Sequence, residues 1–248
     1  MHILPYVILG LLVPSAAYAD SLRIPSYVFT DWRYWVYLAL YVLLTAKVVR
    51  WALRGRIIRD RLAAVPLEDV SWGAVIIFGN AIVYQIFHHY EHLTQIYQFW
   101  YLGLPPKISK GVLFFFDVEW NHFIFDAGYF LMLFAASALL LRKWWQAGHH
   151  VDRIGGTFIA GTLLVQGWHA IEHTFRITKH VTIGCEPCPG IADTLLGIRL
   201  IPLHFWFNVF ALTLPLLVFV WFSMHRKIWY AIRGPANPPQ APMSMRLS

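Results

Sequence analysis

The sequence predicts an all-α integral membrane protein with five transmembrane helices and an N-terminal segment. Three features lead there: hydrophobicity, the placement of charges, and a helical motif that occurs twice. Of 248 residues 58% are hydrophobic and only 13% are charged, with a mean hydropathy of +0.52, whereas soluble domains carry about a quarter charged residues. About 20 mostly apolar residues span the hydrocarbon core, and the chain offers five such stretches plus a shorter one at the N-terminus. One membrane domain accounts for the whole length. The net charge of +7 does not point to nucleic acid, because a nucleic-acid footprint clusters on one soluble surface and here Lys and Arg punctuate apolar helices. They report orientation instead. Arg50, Arg54, Arg56, Arg59 and Arg61 follow one span, Arg142, Lys143 and Arg153 lie in the next alternate loop, and Arg226, Lys227 and Arg233 follow the last. By the positive-inside rule these segments and the C-terminus face the cytoplasm of a bacterial-type plasma membrane.

The elements follow in order. Residues 1–19 have a short apolar core and a small-residue ending, Ala17-Tyr18-Ala19, which fits a signal peptide cleaved before Asp20; uncleaved, they form a sixth helix. Residues 20–66 hold a packing helix from Trp32 to about Arg50, with Trp32, Tyr34 and Trp35 at the outer interface, and then a basic cytoplasmic loop. Residues 67–147 form a hairpin. Its first helix runs outward from about Val70 to Trp100, an outer loop is broken by Pro105 and Pro106, and its second helix returns from about Val112 to Trp145. Residues 148–230 form another, with helices from about Ile154 to Ile177 and from Leu200 to Phe222. The Pro-rich tail, 231–248, reads as disordered.

The two hairpins share their motifs. Gln85-x-x-His88-x-x-Glu91-His92 reappears as Gln166-x-x-His169-x-x-Glu172-His173, an offset of 81 positions. His122-Phe123-x-Phe125-Asp126 reappears as His204-Phe205-x-Phe207-Asn208, an offset of 82. The sequence therefore predicts a four-helix core built from two repeated helix hairpins, related by an axis along the membrane normal. Positions i, i+3, i+4 and i+7 share one helix face, so each Gln-His-Glu-His string is a single polar stripe. At roughly 1.5 Å per residue, His169 lies about 24 Å beyond Arg153, His122 about 30 Å before Arg142 and His204 about 33 Å before Arg226. Helices of opposite direction thus bring their histidines to one level near the outer, periplasmic or extracellular, face.

A lone histidine near a helix end is ordinarily an interfacial or hydrogen-bonded side chain. Six of them with two glutamates, on facing stripes of four helices, are costly to bury unless paired or bound to metal. The expected ligands are His88, Glu91, His92, His122, His169, Glu172, His173 and His204, with Glu119 and Asp126 as extra ligands, proton relays or catalytic groups. The ligand set suits iron, copper or zinc. His-x-x-Glu-His also matches the inverzincin zinc-protease string, but there one copy carries the chemistry, and two copies point to two half-sites. The arrangement resembles the carboxylate-bridged bundles in which Glu and His on facing helices hold a metal pair. The implied function is a dinuclear oxidoreductase or hydroxylase acting on a lipophilic small molecule, such as a quinol, that enters from the lipid. A zinc-dependent membrane hydrolase and a haem-binding electron-transfer subunit of a membrane complex are the alternatives. Membrane lipid and further membrane subunits are the expected partners, and nucleic acid is not.

Gln85, Gln166 and Asn208 either orient the imidazoles or form ordinary helix-to-helix hydrogen bonds. His89 points away from its stripe and reads as a packing residue or a support behind the ligands, with Ala170 at the corresponding position. Cys185 and Cys188, in an outer loop, are expected to form a disulfide. His149 and His150, in a cytoplasmic turn, are expected to be solvated.

Overall fold

The computed structural model describes residues 32–54, 64–112, 117–197 and 200–234. The expected signal peptide and nearly all of the expected tail lie outside these. Seven α-helices are described: α1 (Trp32–Arg54), α2 (Trp72–Ile96), α3 (Val118–Gln146), α4 (Arg153–Ile183), α5 (Ile191–Leu196), α6 (Leu200–Trp221) and α7 (Met224–Arg233). Two of them, α3 and α6, are long and apolar enough to cross a membrane.

Capping chemistry sets the boundaries that hydropathy misplaces. Asp117 accepts from the amides of Glu119 and Trp120 and starts α3 at Val118 rather than near Val112. Asp152 accepts from Gly155 and starts α4 at Arg153, and Gly184, at φ 69°, ends that helix at Ile183 rather than at Ile177. Ser71 caps α2 in the same way. α2 finishes in a wider, π-helical turn over Tyr97–Tyr101, which carries Tyr97 beneath Tyr34 of α1.

The helices α2, α3, α4 and α6 close a ring in which α2 packs on α3, α3 on α4, α4 on α6, and α6 back on α2. Away from the histidines the interior is apolar: Tyr129, Leu133, Ala136 and Leu140 of α3 meet Phe78 of α2 and Val218 of α6. Pro215 in α6 has no N–H to offer the carbonyl of Ala211 one turn earlier. That carbonyl accepts instead from the Tyr129 hydroxyl, at 2.7 Å, so the proline leaves no buried acceptor unmet. α1 leans on the ring through tyrosines, with Tyr34 Oη 2.9 Å from Thr94 Oγ1 and Tyr41 Oη 2.6 Å from His89 Nε2. Its Leu40, Leu43 and Leu44 remain exposed. His89 therefore holds a helix in place, which fits its reading as a packing residue.

The end opposite the histidines is tied by polar contacts. Lys227 of α7 donates to the carbonyl of Leu67 at 2.8 Å, and Trp221 donates to Asp152 at 3.1 Å. His149 sits 2.8 Å from Asp69 and packs on Trp144. It is not the freely solvated residue the sequence suggested, because the chain before α2 folds back to meet the turn.

Candidate metal centre

Helical periodicity brings six imidazoles together. His88 and His92 lie one turn apart on α2, His169 and His173 one turn apart on α4, and each pair shares its face with a glutamine one turn before. α3 contributes His122 and Asp126, and α6 contributes His204 and Asn208. None of these eight side chains is more than 4% exposed. Three overlapping groups could hold a metal ion: His88, His92 and His122; His169, His173 and His204; and His88, Asp126 and His169. Within each group the ligand atoms lie within 4.8 Å of one another.

Asp126 is at the centre. Its Oδ1 is 3.4 Å from His169 Nε2, and its Oδ2 is 3.2 Å from His173 Nε2 and 3.7 Å from His88 Nε2. The backbone fixes two of the tautomers. His122 Nδ1 lies 2.7 Å from the carbonyl of Val118, and His204 Nδ1 lies 3.0 Å from that of Leu200. A carbonyl only accepts, so each Nδ1 carries the proton and each ring's lone pair lies on Nε2. Phe125 stacks on His88 and Phe207 packs at a tilt on His169, at 5.0 and 5.1 Å between ring centres. Nε2 of His169, Nε2 of His173 and Oδ2 of Asp126 are buried with no hydrogen-bond partner. A buried polar atom left unpaired costs about 1–3 kcal/mol, and these residues belong to the groups that could hold an ion.

The glutamines tie helices together rather than orient imidazoles. Gln85 Nε2 donates to Asn208 Oδ1 at 2.7 Å, joining α2 to α6. Gln166 Nε2 donates to Asp126 Oδ1 at 3.1 Å, joining α4 to α3.

Glu91 and Glu172, expected as metal ligands, lie in none of the three groups. Both are buried, but the loops fold back over the bundle end and present amides that claim them. Glu91 Oε2 accepts from Val112 N at 2.8 Å, and Glu172 accepts from Ala192 N at 3.1 Å through Oε1 and 3.2 Å through Oε2. Each carboxylate lies against a glycine. A Cβ on Gly111 would fall 2.1 Å from Glu91 Oε1, and one on Gly190 would fall 1.8 Å from Glu172 Oε1. The stripe geometry places these glutamates on the correct helices and level, but they anchor loops rather than joining any of the three groups.

Glu119 is likewise engaged. Arg176, 4% exposed, donates to it through Nε at 3.1 Å and Nη2 at 2.7 Å, and reaches His204 Nε2 with Nη1 at 2.8 Å. The amide of Cys188 adds a hydrogen bond to Glu119 at 2.8 Å, and Cys188 is disulfide-bonded to Cys185, as expected. A carboxylate held by a bidentate guanidinium and an amide is a poor general base. Sequence reasoning passed over Arg176, yet a signal was there. It follows His173 by three positions on the face that carries the histidines, where an arginine demands a counter-ion.

The buried charges of the described residues all gather here. Glu91, Glu119, Asp126 and Glu172 oppose the single cation Arg176, a formal excess of three negative charges.

No family model, curated protein or solved structure matches this chain. Its chemistry rests on its own donor set. Neutral imidazoles with one central carboxylate suit borderline divalent ions such as iron, copper and zinc. The rings themselves are close: His122 stacks on His173 at 5.3 Å between ring centres, and His88 and His169 lie 5.2 and 5.5 Å from His122 and His204.

Proposed function

We propose that this chain is an integral membrane metalloprotein whose centre holds two transition-metal ions, one on His88, His92 and His122, the other on His169, His173 and His204, with Asp126 between them. The observation that carries this reading is the gathering of six buried imidazoles into two groups of three, with His88, His169 and His173 within 3.7 Å of one buried carboxylate whose Oδ2 lacks a hydrogen-bond partner. In this reading five helices span the bilayer, the two hairpins are repeats of one another, and the centre lies near the outer face beneath the loops that Glu91, Glu172 and Glu119 fasten. Two divalent ions turn the buried excess of three negative charges into one positive charge, whereas an empty cluster would leave those charges uncompensated in an apolar interior.

The chemistry favoured is oxidation or hydroxylation of a lipophilic small molecule. Imidazole-rich sites accommodate the redox-active ions copper and iron, and a pair of ions could together activate water or dioxygen. Entry from lipid is supported by the apolar residues that surround the site on the outside of the bundle, among them Phe87, Ile124, Ile171 and Trp206. Hydrolysis is favoured less, because Glu119, the base it would use beside Asp126, is committed to Arg176.

Metal analysis of the purified full chain tests the proposal. The expected result is two transition-metal ions per chain, falling to one in His92→Ala/His122→Ala. Less than one ion per chain after reconstitution overturns it. Oxygen uptake with a quinol supplied as reductant tests the redox assignment.

A further inference from the structure

Both halves of the cluster offer three histidines, but only one is approached by an arginine. His204 Nδ1 donates its proton to Leu200 O, so Nε2 holds the ring's one available lone pair. That lone pair accepts from Arg176 Nη1 at 2.8 Å. On the metal reading above, on which this inference rests, the same lone pair is given to an ion, and Nη1 loses its acceptor. Arg176 cannot turn to water, for it is 4% exposed and its Nε and Nη2 are fixed on Glu119. A buried ionised donor left without an acceptor is strongly disfavoured. The charges agree: two divalent ions and Arg176 bring five positive charges against the four buried carboxylates, and one monoanion closes the difference.

We propose that the half-site of His169, His173 and His204 binds a monoanionic oxygen or nitrogen donor, the carboxylate of an acid substrate or a small anion such as azide, which ligates the ion and accepts from Arg176 Nη1. Arg176 is thereby a ligand-binding residue, and Glu119 positions it. The corresponding positions of the other half are Gln95 and Ile201, which supply neither cation nor counter-ion, so the anion site is single and the centre asymmetric.

The test uses the full chain in detergent, loaded with Co(II), whose visible absorption responds to a change of ligand. Azide, acetate and decanoate are titrated separately, and metal content is measured on the same samples. Azide and acetate are expected to shift the spectrum of the native protein at one site per chain. A carboxylated lipid substrate would make decanoate bind tighter than acetate, and a small-anion site would rank them the other way; either ranking supports the carboxylate chemistry. In Arg176→Gln/Glu119→Gln, with metal content unchanged, azide is expected to bind roughly tenfold or more weakly, the loss of about one charge-assisted hydrogen bond. Gln95→Ala is expected to bind as the native protein does. A loaded native protein whose spectrum no anion alters, or a loaded double variant that binds azide as tightly, overturns the proposal. Should the double variant not fold, the Arg176 side-chain 15N resonances of Zn(II)-loaded native protein decide: acetate shifts them if the proposal holds, and leaves them in place if it is wrong. Protein that takes up no metal fails the parent reading instead, and with it this one.

Discussion

The half of the cluster on α2 and α3 and the half on α4 and α6 use the same histidines at the same helical spacings, yet they differ where charge is concerned. Asp126 reaches into the centre, while Asn208 at the corresponding position turns its amide to Gln85. Arg176 and Glu119 flank the second half; Gln95 and Ile201 stand in their places beside the first. Imidazole geometry is thus repeated and electrostatics are not. On the proposed two-ion reading, a shared centre needs one carboxylate between two equal sets of neutral ligands. A second one opposite would add negative charge to a buried site that already holds an excess of three. A single cation then makes one half the place where a further ligand binds.

The largest effect should come from cancelling that distinction. Asp126→Asn is expected to lower metal affinity by roughly 100-fold or more, since even groups that only support metal ligands are worth 10–100-fold. Asn208→Asp, the reverse change at the corresponding position, is expected to leave both ions bound, because it alters a residue that contacts Gln85 rather than the imidazoles. Competition with a chromophoric chelator measures both. Equal losses in the two variants would mean that Asp126 has no special place between the half-sites.

Next come the glycines that seat Glu91 and Glu172. Gly190 adopts φ −86°, so Gly190→Ala meets the carboxylate clash alone, and about 1–3 kcal/mol of destabilisation is expected from overpacking. Gly111 adopts φ +75°, so Gly111→Ala adds backbone strain and should fall at the upper end of that range or beyond. Thermal unfolding in detergent ranks them. If Glu91→Gln or Glu172→Gln removes a metal ion without loosening its loop, these glutamates are ligands after all.

The parts legible in the sequence are those governed by local periodicity. The i, i+3, i+7 stripes on α2 and α4 put Gln85, His88, His92, Gln166, His169 and His173 on facing surfaces, and the i, i+4 pairs did the same for His122 with Asp126 and His204 with Asn208. What periodicity cannot convey is where a loop folds. Glu91 and Glu172 lie on the stripes, but a folded-back segment some twenty residues later offers them amides that no helical wheel contains. Glu119 and Arg176 are 57 positions apart, so only closure of α3 on α4 pairs them. Helix ends were displaced for a similar reason: Asp117 and Gly184 act through caps and backbone conformation, which hydropathy does not register.

A smaller contrast lies on the outside of the two halves. His89 has a partner in Tyr41 of α1, while the corresponding position on α4 is Ala170, and no described helix leans there. Tyr41→Phe is expected to cost about 1 kcal/mol, the value of one hydrogen bond, and to increase protease access to α1 without changing metal content. A fall in metal content would show that α1 shapes the centre rather than only packing against it.

The smallest effect concerns a clasp between the end of α4, the disulfide loop and the start of α3. His180, in the last turn of α4 and past the span read from the sequence, has Nδ1 2.7 Å from the carbonyl of Cys185 and Nε2 2.9 Å from Asp117. The carbonyl hydrogen bond first, and the Asp117 carboxylate with it, raise the pKa of His180 above that of a free histidine. A group whose pKa is raised by folding stabilises the folded state fully below its unfolded pKa, about 6.5, and loses that contribution as the pH climbs through the raised value. The site is partly open to solvent, so screening keeps the effect small. A carbon-13-labelled histidine titration should place the His180 midpoint above that of a free imidazole, and Asp117→Asn should move it down. A midpoint at or below the free value would mean that the 185–188 disulfide loop is not clasped to α4 in solution, and that the loops over the two halves are fastened by their glutamates alone.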